Sequence, residues 1–489
     1  MFGAVLVLAA ALRAVVLWAY RPALIFPDSA RYLEFAQRFA DGHWTPDTIR
    51  PSGYSILLVP AVAGHVLALI PLAQHLLGLA EGVMVYAVLV RLGGRRWLAT
   101  IAAVPVLFDP LQLDLEQYVL SDACAAFFLI AALVVLVWNG KRTGAAATAA
   151  AGLLLGAAAV TRVADVALIV PAAAYLAVAV RPWRRLAVRC GVLAGGFLLP
   201  VIAYAGWFGA THGQFGLTGY NGTFLYGRVV QFADCAGMRL PADERALCPA
   251  QPPSQRDPDF YTWSPRSPQW EFTPPPGRTR QSVVLDFSLR VLAHQPGSYL
   301  GVVARDIGYG FSPVRGDGPE HYPVAYLQFQ PRFPPYAEDS ALRTYGGSGP
   351  VVQPGLTAFL TGYGRFCYVP GPVMAAGLLL GLAGLAGTRR SRRSGLRPAC
   401  LLFTAEAAAA LVSAAAFAPF DWRYQLPQLT LIPVAAVLGA SALSGRRASG
   451  RPEPDVPLIG SGPPEDRPRR LPQDLKVENE RPVLDIPEV

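Results

Sequence analysis

Charge is scarce in this chain, and lysine is scarcer still. Only 15% of the 489 residues are Asp, Glu, Lys or Arg, while 53% are hydrophobic; a soluble chain carries about 25% charged residues. That shortage excludes an ordinary soluble protein of several cores, because long apolar runs recur along the whole sequence. Lysine occurs only at Lys141 and Lys476, so the net charge of +9 rests on arginine. The arginines cluster between apolar runs, which fits orientation in a membrane and not a nucleic-acid face. Cysteine is sparse too, with six residues and no spacing that resembles a structural zinc site. No basic stretch precedes the first apolar run and Arg13 interrupts it, so residues 2–20 are expected to form an uncleaved first span.

Apolar segments long enough to cross about 30 Å recur near residues 70–91, 119–138, 145–161, 163–181, 189–209, 368–387, 398–417 and 424–443. A shorter one lies at 97–109. Excess Lys and Arg mark cytoplasmic loops, which assigns one side to Arg91/Arg95/Arg96, Lys141/Arg142, Arg181/Arg184/Arg185/Arg189, Arg389/Arg390/Arg392/Arg393/Arg397 and Arg446/Arg447. All of them fall on that side if residues 53–69 form a juxtamembrane or re-entrant helix. The count is then ten spans with both termini inside.

The sequence thus predicts an all-α polytopic membrane protein. Residues 1–209 form a seven-helix transmembrane core with its first outer loop at 21–69, and 210–367 form an extracytoplasmic loop domain. Residues 368–445 supply the C-terminal transmembrane helices, and 446–489 a polar, Pro-rich tail expected to be disordered and cytoplasmic. Short outer turns fall at 108–122, 161–163 and 419–424. Within the loop domain, His294–Phe311 reads as an interfacial helix pair broken at Pro296, and Cys235 and Cys248 are expected to form a disulfide on an oxidising outer face.

The unusual polar residues gather on that outer face. Asp28 follows the first span, with Tyr32 four positions on; it is either the cap of the helix "SARYLEFAQRFA" or a carboxylate facing a substrate at the membrane surface. Asp122, at the mouth of "SDACAAFFLIAALVV", poses the same choice, because an ionisable group there is expensive unless it faces a cavity. Asp114 and Glu116 read mainly as solvated loop residues, with a contact to bound substrate as the alternative for both. Arg162 could pair with Asp165 or offer its guanidinium to a phosphate, which it can bind through two parallel hydrogen bonds. Arg423 in "FDWRYQLP" is either a snorkelling anchor or a second phosphate ligand beside Tyr424. Arg50 precedes a tight turn at Pro51 and Gly53.

The ordered pieces "PDSARYLEFAQRF", "IRPSGYSILLVP", "RLGGRRWLATIAAVPVLF", "YVLSDACAAFFLIAAL", "GLLLGAAAVTR" and "WRYQLP" resemble the C superfamily of membrane glycosyltransferases. The nearest likeness is to protein O-mannosyltransferases and lipid A aminoarabinose transferases. The resemblance implies a helical bundle that takes sugar from a polyprenyl-phosphate carrier and passes it to an extracytoplasmic glycan, lipid or protein, in the plasma membrane and without nucleic acid. It implies Asp28 as the catalytic carboxylate, Asp122 as a second acidic site residue, and Arg162 and Arg423 as contacts to the carrier phosphate; Tyr32, Arg50, Tyr54, Glu116 and Tyr424 are expected to bind substrate beside them. Relatives of the oligosaccharyltransferase type hold a metal with a paired acidic motif; this chain has only Pro27-Asp28-Ser29, so no cofactor is expected and a divalent metal lacks that support. A secondary transporter or flippase is the alternative from another class; it predicts broken helices with ionisable residues near the midplane, and two similar halves.

Overall fold

The computed structural model describes residues 1–140, 143–318, 323–333 and 339–445. The expectations placed on Lys141, Arg142 and residues 446–489 lie outside the described residues. What is described is almost wholly helical, with one short antiparallel pairing of Tyr20–Arg21 and Val351–Val352.

Among the described residues, five helices are long and apolar enough to cross a membrane alone: Phe2–Ala19, Leu69–Arg91, Trp183–His212, Arg397–Phe417 and Trp422–Leu443. Two bent pairs, Arg96–Phe108 with Pro110–Gln117 and Pro354–Phe366 with Gly371–Ala386, raise the number to seven if each pair is one span. Every apolar segment expected to span is a helix or part of one, but Asp122–Val137 has 16 residues and Ala145–Thr161 has 17, short of the about 20 a crossing needs. Their charged boundaries give the reason. Asp122 opens the first and Arg162 follows the second, and the two side chains meet at 3.5 Å, so this helical hairpin stops where its polar end begins. Gly53–Ala63 is a separate helix of 11 residues.

The apolar side chains divide between two cores. The larger draws on nearly all the long helices and extends into 327–363 through Leu327, Phe329 and Leu360. The smaller sits wholly within 225–291, around Tyr226, Tyr261, Val284 and Phe287. Only part of the segment 210–367 therefore has a core of its own; its later part is built into the bundle. The Cys235–Cys248 disulfide, with S–S 2.06 Å, edges the smaller core. The helices Arg280–His294 and Pro296–Tyr309 are separated at Gln295, where proline's missing N–H and fixed φ favour a new helix start.

One sequence expectation is overturned. Residues 108–122 are not a solvent-facing turn: Pro110–Gln117 is a helix in which every residue is buried. Its polar side chains other than Asp114 pair inside the protein. Arg13 meets Glu116 at 2.9 and 2.8 Å, His75 meets the same carboxylate at 2.6 Å, and Gln117 and Gln112 bond Tyr20 O and Glu116. Gly78 makes room for this contact, since a Cβ there would come within 1.7 Å of Glu116 Oε1. The solvated reading of Asp114 and Glu116 fails with it, as they are 1% and 0% exposed. Asp109 takes a bidentate pair from Arg315 at 2.7 and 2.9 Å, which ties the start of this helix to the segment 210–367.

Candidate functional site

The site begins with a helix start that is not capped as its sequence suggests. Asp28 occupies the N-cap position of Ser29–Ala40, yet its side chain makes no capping bond. Ser29 takes over that end of the helix: its Oγ accepts from Phe26 N at 2.8 Å and donates to Val119 O at 2.8 Å. The Asp28 carboxylate is thereby freed, and it lies between two guanidiniums, Arg50 Nη2 at 2.5 Å and Arg423 Nη1 at 2.9 Å.

Local structure explains how Arg50 reaches it. Asp47 binds Arg31 and accepts from Ile49 N at 2.8 Å, while its own N–H donates to Ser52 Oγ at 2.8 Å. Thr218 Oγ1 donates to Ile49 O at 2.8 Å, and Ser52 N donates to Tyr204 OH at 3.0 Å. The loop is thus pinned on both sides of Arg50. Gly53 then lets the next helix start against the end of Ala145–Thr161, since a Cβ there would sit 2.4 Å from Val160 O.

Arg423 comes from the other end of the chain. It sits in a short turn of helix whose N-cap, Asp421, accepts from Arg423 N at 3.1 Å and pairs with its Nε at 2.8 Å. Its guanidinium also lies 5.1 Å from the Phe26 ring and 5.4 Å from the Tyr424 ring. A snorkelling anchor reaches water; this side chain is 15% exposed and held by two carboxylates. Tyr424 bridges to the next cation, with Arg162 at 5.0 Å from its ring. Arg162 pairs with Asp122, and Asp165 is near enough to act on it by charge. Arg423 also feels the charges of Arg50 and Arg162. Three guanidiniums are therefore gathered with the carboxylates of Asp28, Asp421 and Asp122, so an anion that binds there takes the place of a carboxylate at one or more of them.

The remaining members form the wall behind these charges. Tyr32 meets Ser121 Oγ at 3.2 Å and packs edge-on against Tyr54 at 4.9 Å. Tyr54 is fully buried and donates to Gln74 at 2.8 Å, so it backs Tyr32 rather than lining an opening. Glu116 does not join them; it is committed to Arg13 and His75. Behind Tyr424 a small cavity separates Pro296–Tyr309 from Arg397–Phe417, lined by Asp306, Leu411, Phe420 and Gln425 among others.

Burial raises the Asp28 carboxyl, but Arg50 and Arg423 outweigh it and hold it below the ordinary carboxylate range. Asp421 is raised, by burial first, with Arg423 opposing. Among the described residues no three His, Cys, Asp or Glu side chains are grouped so as to hold a metal ion. The chemistry available is that of carboxylates beside guanidiniums: orientation of a hydroxyl, and binding of a phosphate.

Sequence reasoning missed several buried ionisable groups. Glu81 and Glu406 each interrupt an apolar helix and are 1% and 0% exposed; a single carboxylate in such a run is a signal in itself. Arg13 was read only as an interruption, although it is the partner of Glu116.

Fold and site together define a multi-pass helical membrane protein with a charged site gathered at the ends of its helices. Residues 68–210 match the family model of dolichyl-phosphate-mannose-protein mannosyltransferases, in agreement with the resemblance read from the sequence pieces. No curated protein matches by sequence. Solved structures that match include ArnT from Cupriavidus metallidurans bound to undecaprenyl phosphate, 15% identical, over 89% of this chain and 77% of that one, with TM-score 0.36. The oligosaccharyltransferase AglB from Archaeoglobus fulgidus, with an inhibitory peptide and a dolichol-phosphate, is 14% identical over 91% of this chain and 50% of its own, with TM-score 0.39. The S. cerevisiae protein O-mannosyltransferase Pmt1-Pmt2 complex bound to the sugar donor is 15% identical over 49% and 36%, with TM-score 0.35. The chain thus spans half or less of the length of the last two. These likenesses are too distant to specify chemistry, which rests on the site.

Proposed function

We propose that this protein is an integral-membrane glycosyltransferase that moves a sugar from a polyprenyl-phosphate carrier to an acceptor on the extracytoplasmic side of the plasma membrane. One observation carries the reading: Asp28, placed to cap a helix, instead faces Arg50 and Arg423 at 2.5 and 2.9 Å, with Asp122 and Arg162 alongside. Phosphate is the anion that crowded guanidiniums bind best, through paired hydrogen bonds. The family match over residues 68–210 supports a carrier of the polyprenyl-phosphate class.

In this reading Arg423, Arg162 and Arg50 hold the carrier phosphate, and Asp28 and Asp122 orient the acceptor hydroxyl toward the anomeric carbon. The hydroxyl oxygen attacks there with inversion, the carbon–oxygen bond to phosphate breaks with its electron pair leaving on the phosphate, and the hydroxyl proton passes to the released phosphate, whose second ionisation lies at about pH 6. Positioning of the reactants and stabilisation of the departing anion are the two contributions the site can make. The arginine clusters between spans orient the chain so that the site faces outward.

A transporter or flippase of a lipid-linked or small polar substrate remains the second reading, favoured by the two bent helix pairs and by buried Glu81 and Glu406. One assay separates the two. Purified protein in vesicles is given labelled polyprenyl-phosphate mannose, glucose and arabinose, with an envelope extract as acceptor. Transfer of label with release of polyprenyl phosphate supports the transferase; movement of intact donor between leaflets, with no release, supports the transporter and overturns the first reading.

A further inference from the structure

The turn Trp422–Gln425 that carries Arg423 is four residues long, too short to be stable without outside contacts. Its first residue supplies them. The Trp422 side chain is buried, and its indole Nε1 donates to Gly316 O at 2.8 Å. The turn thus gives one side chain to Asp28 and Asp421, and the one before it to the segment 210–367.

The surroundings of Trp422 are themselves fixed. Tyr309, at the end of the helix Pro296–Tyr309, and Phe420 pack on it with ring centres 5.7 and 5.0 Å away. The Arg315 guanidinium stands 5.9 Å from the Trp422 ring and 5.2 Å from the Tyr368 ring. Both terminal nitrogens of Arg315 donate to the buried Asp109, at 2.7 and 2.9 Å. Asp109 also accepts from Leu111 N and Val369 N, each at 2.9 Å, which leaves it no freedom to follow a displaced arginine. A continuous set of contacts therefore runs from the buried helix Pro110–Gln117 through Arg315 and Gly316 to Trp422, and ends one residue before Arg423. Arg315 makes no hydrogen bond or ion pair with Asp28, Asp122 or the arginines of the site among the described residues, so any influence it has on them passes through Trp422.

We propose that Trp422 and Arg315 are positioning residues of the phosphate site: they hold the turn so that the Arg423 guanidinium stands where the departing phosphate needs it. This rests on the transferase reading above. In the free protein Arg423 is steadied by the carboxylates of Asp28 and Asp421. A phosphate that binds replaces one of those partners, and the backbone of the turn then has to supply the placement that the lost contact supplied. Placement matters because a donor to a developing anion works only if it is already aimed when the bond breaks, and a shift of about 1 Å can cost about 100-fold in rate.

The test is a double-substitution cycle on kcat in the vesicle assay, with full-length protein and the labelled polyprenyl-phosphate sugar that the wild type consumes. Trp422→Phe keeps an aromatic ring and removes the N–H bonded to Gly316 O; it should lower kcat by about 10-fold or more and raise the donor KM by less. Arg423→Ala alone should lower kcat by about 100-fold. Adding Trp422→Phe to Arg423→Ala should cost less than about 2-fold more, because two changes that act through one guanidinium do not add. Arg315→Lys keeps a charge beside Asp109 and loses the paired hydrogen bonds; it should repeat the pattern with a smaller loss, and it decides alone where Trp422→Phe does not fold. Rates are taken per folded protein, so a change in stability by itself moves none of them. Wild-type kcat in either variant, or losses that multiply with that of Arg423→Ala, overturns the inference and leaves the transferase reading standing. A wild type that releases no polyprenyl phosphate from any donor overturns both.

Discussion

The Arg13–Glu116–His75 cluster and the Asp28–Arg50–Arg423 cluster use the same kinds of groups, yet only the first is sealed. In the buried cluster the side chains are 2%, 0% and 2% exposed, and the Arg13 guanidinium also donates to the carbonyls of Leu107 and Val106 at 2.8 and 3.1 Å. In the other, Asp28, Arg50 and Arg423 are 13%, 19% and 15% exposed. Nearby, Asp122 Oδ1 has no hydrogen bond among the described residues. A saturated buried cluster has no room for a ligand, whereas a partly open one can exchange a carboxylate partner for a phosphate oxygen. The first joins the helix Phe2–Ala19 to Pro110–Gln117; the second is where substrate chemistry belongs.

Substitutions should separate the two clusters. The largest effect is expected for Arg13→Met. Breaking a buried pair from one side leaves a charge uncompensated and costs about 3–5 kcal/mol, so chemical denaturation should show a large loss of stability; an unchanged midpoint would mean that the cluster does not tie the bundle together. Arg423→Ala should show mainly in turnover, lowering kcat by about 100-fold, the usual loss when one donor to a developing anion is removed, with a smaller loss of melting temperature than Arg13→Met because Arg50 still pairs with Asp28 while Asp421 loses its guanidinium partner. A kinetic survey at saturating donor reads this directly. Gly53→Ala comes next. The added methyl meets Val160 O, and overpacking of this kind costs about 1–3 kcal/mol; thermal melting should reveal it, and transfer should also suffer as Arg50 is displaced.

A smaller effect concerns acid. Asp28 is held below the ordinary carboxylate range, so its stabilising contribution is fully present above the unfolded-state value and is lost only as pH falls through the lowered folded one. Wild type and Asp28→Asn should therefore lose melting temperature in parallel between about pH 7 and 5. Divergence in that window would mean that the clamp is weaker than its geometry implies. The smallest effect is expected for Asp114→Asn. Neither Asp114 oxygen has a hydrogen bond among the described residues, and replacing an unpaired buried carboxylate by a neutral amide should not lower the melting temperature.

Much of the site was legible in the sequence because charges at the ends of apolar runs are costly and invite a reason. Asp28, Arg50, Asp122, Arg162 and Arg423 stood out on that ground, and the structure gathers them around Tyr424 and Tyr32. The buried pairing of Glu116 was not legible. Glu116 lies in a run that alternates polar and apolar residues like a surface turn, and its partner Arg13 is 103 positions away; no local pattern connects them.

The most direct measurement is the rate of sugar transfer from labelled polyprenyl-phosphate donors by Asp28→Asn beside wild type, with donor binding measured on the same samples. The account predicts an intact fold, retained donor binding, and turnover reduced by about two orders of magnitude or more. Equal turnover by the two proteins would contradict it, since the carboxylate set between Arg50 and Arg423 would then take no part in the chemistry.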